Sequence, residues 1–137
     1  MEGTEKLTET LLPAKQRFRA EVIKPGYIHV YYPEVATEES IREFYPGYIE
    51  LLKQQPGPCC VIGDFSRTRK TSFQAGMEGV KWMPLSQPYL KRVAGFGIHP
   101  LLESMVNSIL IMSGRLDIKM FKTRAEAEAW AFEDINR

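Results

Sequence analysis

The residues able to do chemistry in this 137-residue chain concentrate in one stretch, DFSRTRKTS, which follows the apolar run CCVIG. It holds Asp64, the cations Arg67, Arg69 and Lys70, and the hydroxyls of Ser66, Thr71 and Ser72. Three cations beside capping hydroxyls at a helix start suit an anionic group: a phosphate, a carboxylate or an acidic patch. The plainer alternative is a solvated loop with ordinary caps, in which Asp64 bonds to nearby backbone amides. His99 is the other titratable group expected near this loop, as an acid or base or, standing directly before Pro100, as a helix cap. Neither His29 nor His99 has a serine or cysteine at the spacing of a catalytic triad. Signatures of the form GxxxxGK[ST], HExxH and GxSxG are missing, as are paired metal ligands, so no cofactor and no metal are expected. Gly95-Phe96-Gly97 lacks the third glycine of a dinucleotide fingerprint and reads as close packing.

The elements that must position these residues follow from periodicity. Cys59–Phe65 is apolar on both faces, with prolines before it and polar residues after, which fits an interior parallel strand. A helix is predicted from about Thr71 to Met83, with Phe73, Met77, Val80 and Met83 on one side. The loop therefore joins the C-terminal end of a strand to the start of a helix. Cys59 and Cys60 are neighbours that point to opposite faces, so they read as two buried thiols in a reducing compartment.

Upstream, RFRAEVIKPGYIHVYY alternates on both sides of a Pro-Gly turn and predicts an antiparallel hairpin. One face carries Phe18, Ala20, Val22, Ile28, Val30 and Tyr32. The other carries Arg17, Arg19, Tyr27, His29 and Tyr31, a mixture that suits a subunit or partner interface. Thr37 is placed to cap a helix in which Ile41, Phe44, Tyr45, Tyr48, Ile49 and Leu52 keep phase across Pro46, predicting one kinked helix. Downstream, Pro84–Tyr89 reads as a loop and Leu90–Ile98 as a strand. A helix opened by His99-Pro100 buries Leu102, Met105, Val106, Ile109 and Leu110 and ends at Ser113-Gly114. Ile118–Phe121 is the last strand. Thr123-Arg124-Ala125-Glu126 is a capping box for a final helix that buries Ala127, Trp130, Ala131 and Ile135. Residues 1–16 are an arm or short helix, and 17–137 a single domain.

Net charge +1, with 44% hydrophobic and 26% charged residues, gives no electrostatic reason to expect nucleic acid or a membrane surface. The N-terminus has no apolar signal region and no stretch is long enough to span a membrane, so a cytoplasmic location is expected.

The order β-β-α-β-α-β-α-β-α describes an α/β domain. Strands added in sequence order, with right-handed crossovers, place their helices on one face. Interior strands apolar on both sides then need a second cover: the N-terminal arm, a twin subunit or an apolar ligand. The hairpin GYIHVYYPEVATEESIREF, the strand CCVIGDFS, the later RVAGFGIHP and the closing MFKTRAEAEAWAFEDI together resemble the anti-sigma-factor-antagonist, or STAS-like, domains and their stand-alone relatives grouped with the SEC14-type fold. The resemblance implies a five-stranded, mostly parallel mixed sheet with about four helices, mainly on one face, and regulation by protein contact. It also implies a phosphorylatable serine in the strand-to-helix turn, for which Ser72 is nearest in position and Thr71 and Ser66 close by. Here a longer basic loop replaces the compact Asp-Ser-Ser-Gly turn.

Three readings result. The first is a non-enzymatic regulatory or interaction domain, acting as a homodimer or on a protein partner. The second is a binder of a small apolar or lipid-like ligand, its tail among Phe73, Met77, Met83, Met105 and Met112 and its anionic head at Arg67–Lys70. The third is an enzyme of unrecognised type using Asp64 and His99.

Overall fold

The computed structural model describes residues 12–114 and 117–133. Strands β1 (Arg19–Lys24) and β2 (Tyr27–Tyr31) pair antiparallel at one edge of a five-stranded sheet. β3 (Cys59–Asp64), β4 (Leu90–Phe96) and β5 (Ile118–Phe121) follow in chain order, each parallel to its neighbour. The helices are α1 (Glu38–Lys53), α2 (Phe73–Ser86), α3 (Pro100–Ser113) and α4 (Arg124–Ala131). Most of the predicted N-terminal arm lies outside the described residues; Ala14–Gln16 forms one 3-10 turn. The hairpin turns at Gly26, whose φ of 83° lies in the left-handed region that a residue without Cβ enters freely.

α1 runs unbroken through Pro46, because the apolar stripe keeps phase and buries Ile41, Tyr48 and Leu52. Its start is a full capping box: Thr37 Oγ1 accepts from the Ser40 amide at 3.0 Å, and Ser40 Oγ from the Thr37 amide at 3.1 Å.

α2 departs from its prediction twice. It continues past Pro84 to Ser86, and a 3-10 turn, Gln87–Tyr89, replaces the expected loop. Proline forfeits a hydrogen bond there, in the last turn, where little helix remains to be disrupted. Its buried residues are Ala75, Glu78 and Ser86, while Phe73 is 43% exposed. Small residues win the inner face because α3 packs closely: a Cβ on Gly76 would collide with Ile109. Burial opposes ionisation of Glu78, but hydrogen bonds from Trp82 and Lys81 and the charges of Lys81 and Arg42 outweigh it and hold the carboxyl below its usual range. Arg42 Nε lies 3.4 Å from Glu78 Oε2, tying α1 to α2.

Helices α1–α3 each connect parallel strands and share one face of the sheet, as right-handed crossovers require. No strand follows α4, which crosses to the other face. There Ala127 and Ala131 pack on Tyr27, Cys60, Ile62 and Ala94, and the Cys60 thiol donates to the Ala131 carbonyl at 3.2 Å. The second face is thus covered by α4 itself, which explains why β3 is apolar on both sides. Ile135, expected in this core, lies outside the described residues. Among the described residues, no helix is long and apolar enough to cross a membrane.

Candidate functional site

The basic loop is a knit structure. Asp64 Oδ1 accepts the Ser66 amide at 2.8 Å, and the Thr68 amide donates to the Phe65 carbonyl at 3.0 Å. Thr68, buried, donates its hydroxyl to the Pro33 carbonyl at 2.9 Å. The amides of Arg69 and Lys70 both reach the Glu34 carbonyl, and the Ala36 amide returns to Lys70 O at 2.9 Å. The Arg69 guanidinium donates to Ser66 O at 2.9 Å. Gly97, with φ 79°, lets β4 end against the loop; a Cβ there would sit 3.2 Å from the Ser66 backbone nitrogen.

Thr68→Val should lower stability by about 1–3 kcal/mol, because it leaves the Pro33 carbonyl without its donor. Urea unfolding measures this, and an unchanged midpoint would show that the tie is idle.

This bracing gathers charge. A cleft of about 770 Å³ is lined by Lys15, Arg17 and Arg19 from the chain entering β1, and by Arg67 and Arg69 from the loop. Among the described residues Glu34 is the only acid in its lining, and Tyr31 and Tyr32 complete the wall. Arg19 is held, its guanidinium 4.0 Å above the Tyr31 ring centroid and 4.0 Å from Glu21. Arg67 is exposed and makes no ion pair among the described residues. Two groups that the sequence kept apart, an interface face and an anion loop, contribute to one surface. Lys15 was missed, since only the fold brings it there.

Other predicted residues are differently employed. Thr71 donates its hydroxyl to Ala36 O at 3.0 Å, and Ser72 Oγ caps α2 by accepting the Ala75 amide at 3.1 Å. Lys70 is exposed beside its bridge to Val35 and does not line the cleft. His99 Nδ1 accepts the Leu101 amide at 3.1 Å, so it caps α3. No hydrogen bond joins Asp64 to His99 among the described residues. Tyr27 and His29 do not present a free partner face: α4 covers them, leaving Tyr27 7% and His29 0% exposed. The Tyr27 hydroxyl donates to Glu128 Oε2 at 2.7 Å. His29 stacks on Tyr31, with neither ring nitrogen hydrogen-bonded among the described residues. Burial, then the nearby Arg124 charge, pushes the His29 pKa down.

On the α1–α3 face lies a largely apolar, partly open cavity of about 160 Å³. The register row Val30–Gly63–Gly95–Met120 forms part of its floor. The two glycines in mid-sheet leave room for Tyr32, Phe65 and Met120 to lie close over the strands. Of the residues expected around an apolar tail, Met83 and Met105 line the cavity, whereas Phe73 and Met112 are 43% and 56% exposed. Among the described residues no cluster of three or more His, Cys, Asp or Glu is placed to hold a metal.

No protein-family model and no curated protein matches the sequence. Solved structures do match. A protein of the DUF3478 family from Shewanella loihica PV-4, described as having a SpoIIAA-like fold, aligns with TM-score 0.64 and 17% identity over 88% of this chain and 98% of its own. The anti-sigma factor antagonist SpoIIAA in its unphosphorylated form aligns with TM-score 0.61 and 13% identity over 87% and 99%. The murine anion transporter Slc26a9 aligns with TM-score 0.62 and 11% identity over 97% of this chain and 24% of its own. With its leading hairpin, in-order parallel strands and four helices, the chain has the SpoIIAA-like, or STAS, fold.

Proposed function

We propose that this chain is a non-enzymatic regulatory domain that acts by contact with an acidic partner, and that the basic cleft is the contact surface. The observation that carries the reading is the convergence of Lys15, Arg17, Arg19, Arg67 and Arg69 on one cleft with Glu34 as its only acid among the described residues. The bracing of the loop means that little conformational freedom is lost on docking. The likeness to an anti-sigma factor antagonist supports a regulatory role. Asp64 and His99 each already serve a backbone amide, which favours structure over catalysis. Phosphorylation of Thr71 would remove the proton its hydroxyl donates to Ala36 O, whereas Ser72 Oγ only accepts, from the Ala75 amide; the reading rests on contact rather than on a phosphoswitch.

Fluorescence anisotropy of a labelled hexaglutamate peptide tests this. The wild type binds with an affinity that falls as salt rises, and Arg17→Glu/Arg67→Glu weakens binding at least about tenfold. Equal binding by the double variant would contradict the assignment. Light scattering separates a heterologous partner from a second copy of the chain, which the reading also accommodates as a cytoplasmic homodimer.

The cavity favours a second reading, a binder of a small apolar ligand. A ligand that fills it would remove its apolar lining from water, the main source of affinity for such a site.

A further inference from the structure

We propose that the cavity and the basic cleft are two compartments of one site for an amphiphilic anion, whose apolar part is a single aromatic ring or a short chain. The inference deepens the small-ligand reading and rests on it. Phe18 and Tyr32 line both spaces, so one aromatic wall adjoins the apolar interior and the cationic exterior. Tyr32 stacks on Phe65 at 3.8 Å and meets Phe18 edge-on at 4.7 Å. Its hydroxyl makes no hydrogen bond among the described residues, which leaves a donor on this shared wall unused.

Size decides the tail. A cavity of about 160 Å³ is of the order that holds a benzene-sized molecule and falls below the ~300 Å³ of ordinary drug-sized pockets. A long acyl chain does not fit; a phenyl group or a chain of about six carbons does. Charge decides the head. The cleft offers several guanidinium forks, and that of Arg67 is unengaged by any carboxylate among the described residues, which selects a carboxylate or similar anion and rejects an ammonium.

Gly79 supplies a clean probe of the interior. It lines the cavity, and a Cβ built on it meets no atom within 4 Å. Gly79→Leu therefore adds a side chain to the cavity wall without a collision at Cβ.

The experiment is calorimetric titration of the full chain with 4-phenylbutyrate, 4-phenylbutan-1-ol, 4-phenylbutylamine, butyrate and palmitate. Expected is binding of 4-phenylbutyrate at least tenfold tighter than the alcohol, with the amine, butyrate and palmitate weaker still. Arg67→Ala should reduce the preference for acid over alcohol several-fold, and Gly79→Leu should abolish binding with the thermal midpoint retained. Equal binding of acid and alcohol would overturn the shared site while leaving the apolar cavity reading intact. Butyrate binding as well as phenylbutyrate would overturn the cavity's part in it. No binding of either phenyl compound at millimolar concentration would end both readings. The wild-type series decides these outcomes even if Gly79→Leu does not fold.

Discussion

Replacing Gly95 by valine should destabilise the domain by about 1–3 kcal/mol, although valine is among the better strand formers. The cause is local crowding. A Cβ at position 95 would lie 2.5 Å from Met120 Sδ and 2.9 Å from the Phe65 ring, both closer than carbon contacts allow. Met120 is flexible and can give way, but Phe65 is stacked on Tyr32 and has less room. Gly79→Ala should move the other way, stabilising by up to about 1 kcal/mol, because it removes a helix-interior glycine and meets nothing. Thermal or urea unfolding of the two variants checks the pair. Matching signs would mean that the cavity floor is not packed as described.

His29→Leu should be at least as stable as the wild type at pH 7.5. A fully buried imidazole with both nitrogens unpaired carries a desolvation penalty of about 1–3 kcal/mol, which leucine lacks. Loss of the Tyr31 stack, at 4.4 Å between centroids, offsets about 0.5–1.5 kcal/mol of the gain.

The pH dependence gives a sharper test. The folded pKa of His29 lies below its ordinary 6.5, so over the interval between the two values the unfolded chain binds more protons. This contribution to stability is complete above about pH 6.5 and is lost as pH falls towards the folded value. Arg124 reinforces the shift, while Asp64, Glu21 and Glu128 oppose it. The wild type should therefore weaken between pH 7.5 and 5.5 more than His29→Leu does. A leucine variant that is less stable at both values, with an unchanged pH slope, would show that His29 has a partner.

Much of the framework was legible because local rules agreed with the tertiary result. The hairpin about Gly26, the helix carried through Pro46 by an in-phase stripe, the His99-Pro100 start and the Thr123 capping box each rest on a few adjacent residues. The inner face of α2 was not legible, since large side chains imply burial by periodicity while close helix packing selects Ala75 and Gly76 instead. The position of α4 escaped for another reason: the crossover rule constrains only helices between strands. That one helix buried Tyr27 and His29, which alternation alone had placed on an open face.

The site divided in the same way. Arg67 and Arg69 stood out by composition, but their union with Arg17 and Arg19 depends on bonds such as Thr68 to Pro33 that join distant segments. The cavity was hidden because Gly63 and Gly95 are neighbours only across the β3–β4 register. In sequence each is merely a small residue near the end of a strand.

The central claim, that the basic cleft is the working surface of this STAS-fold domain, is tested most directly by mapping an acidic peptide with amide chemical shifts. On titration with hexaglutamate, shifts are predicted at Lys15–Arg19, Tyr31–Glu34 and Ser66–Arg69, fading together as salt is raised. Shifts confined to the outer face of α3, where Leu101 and Ile111 are 86% and 79% exposed, would contradict the account, as would an unperturbed spectrum at low salt.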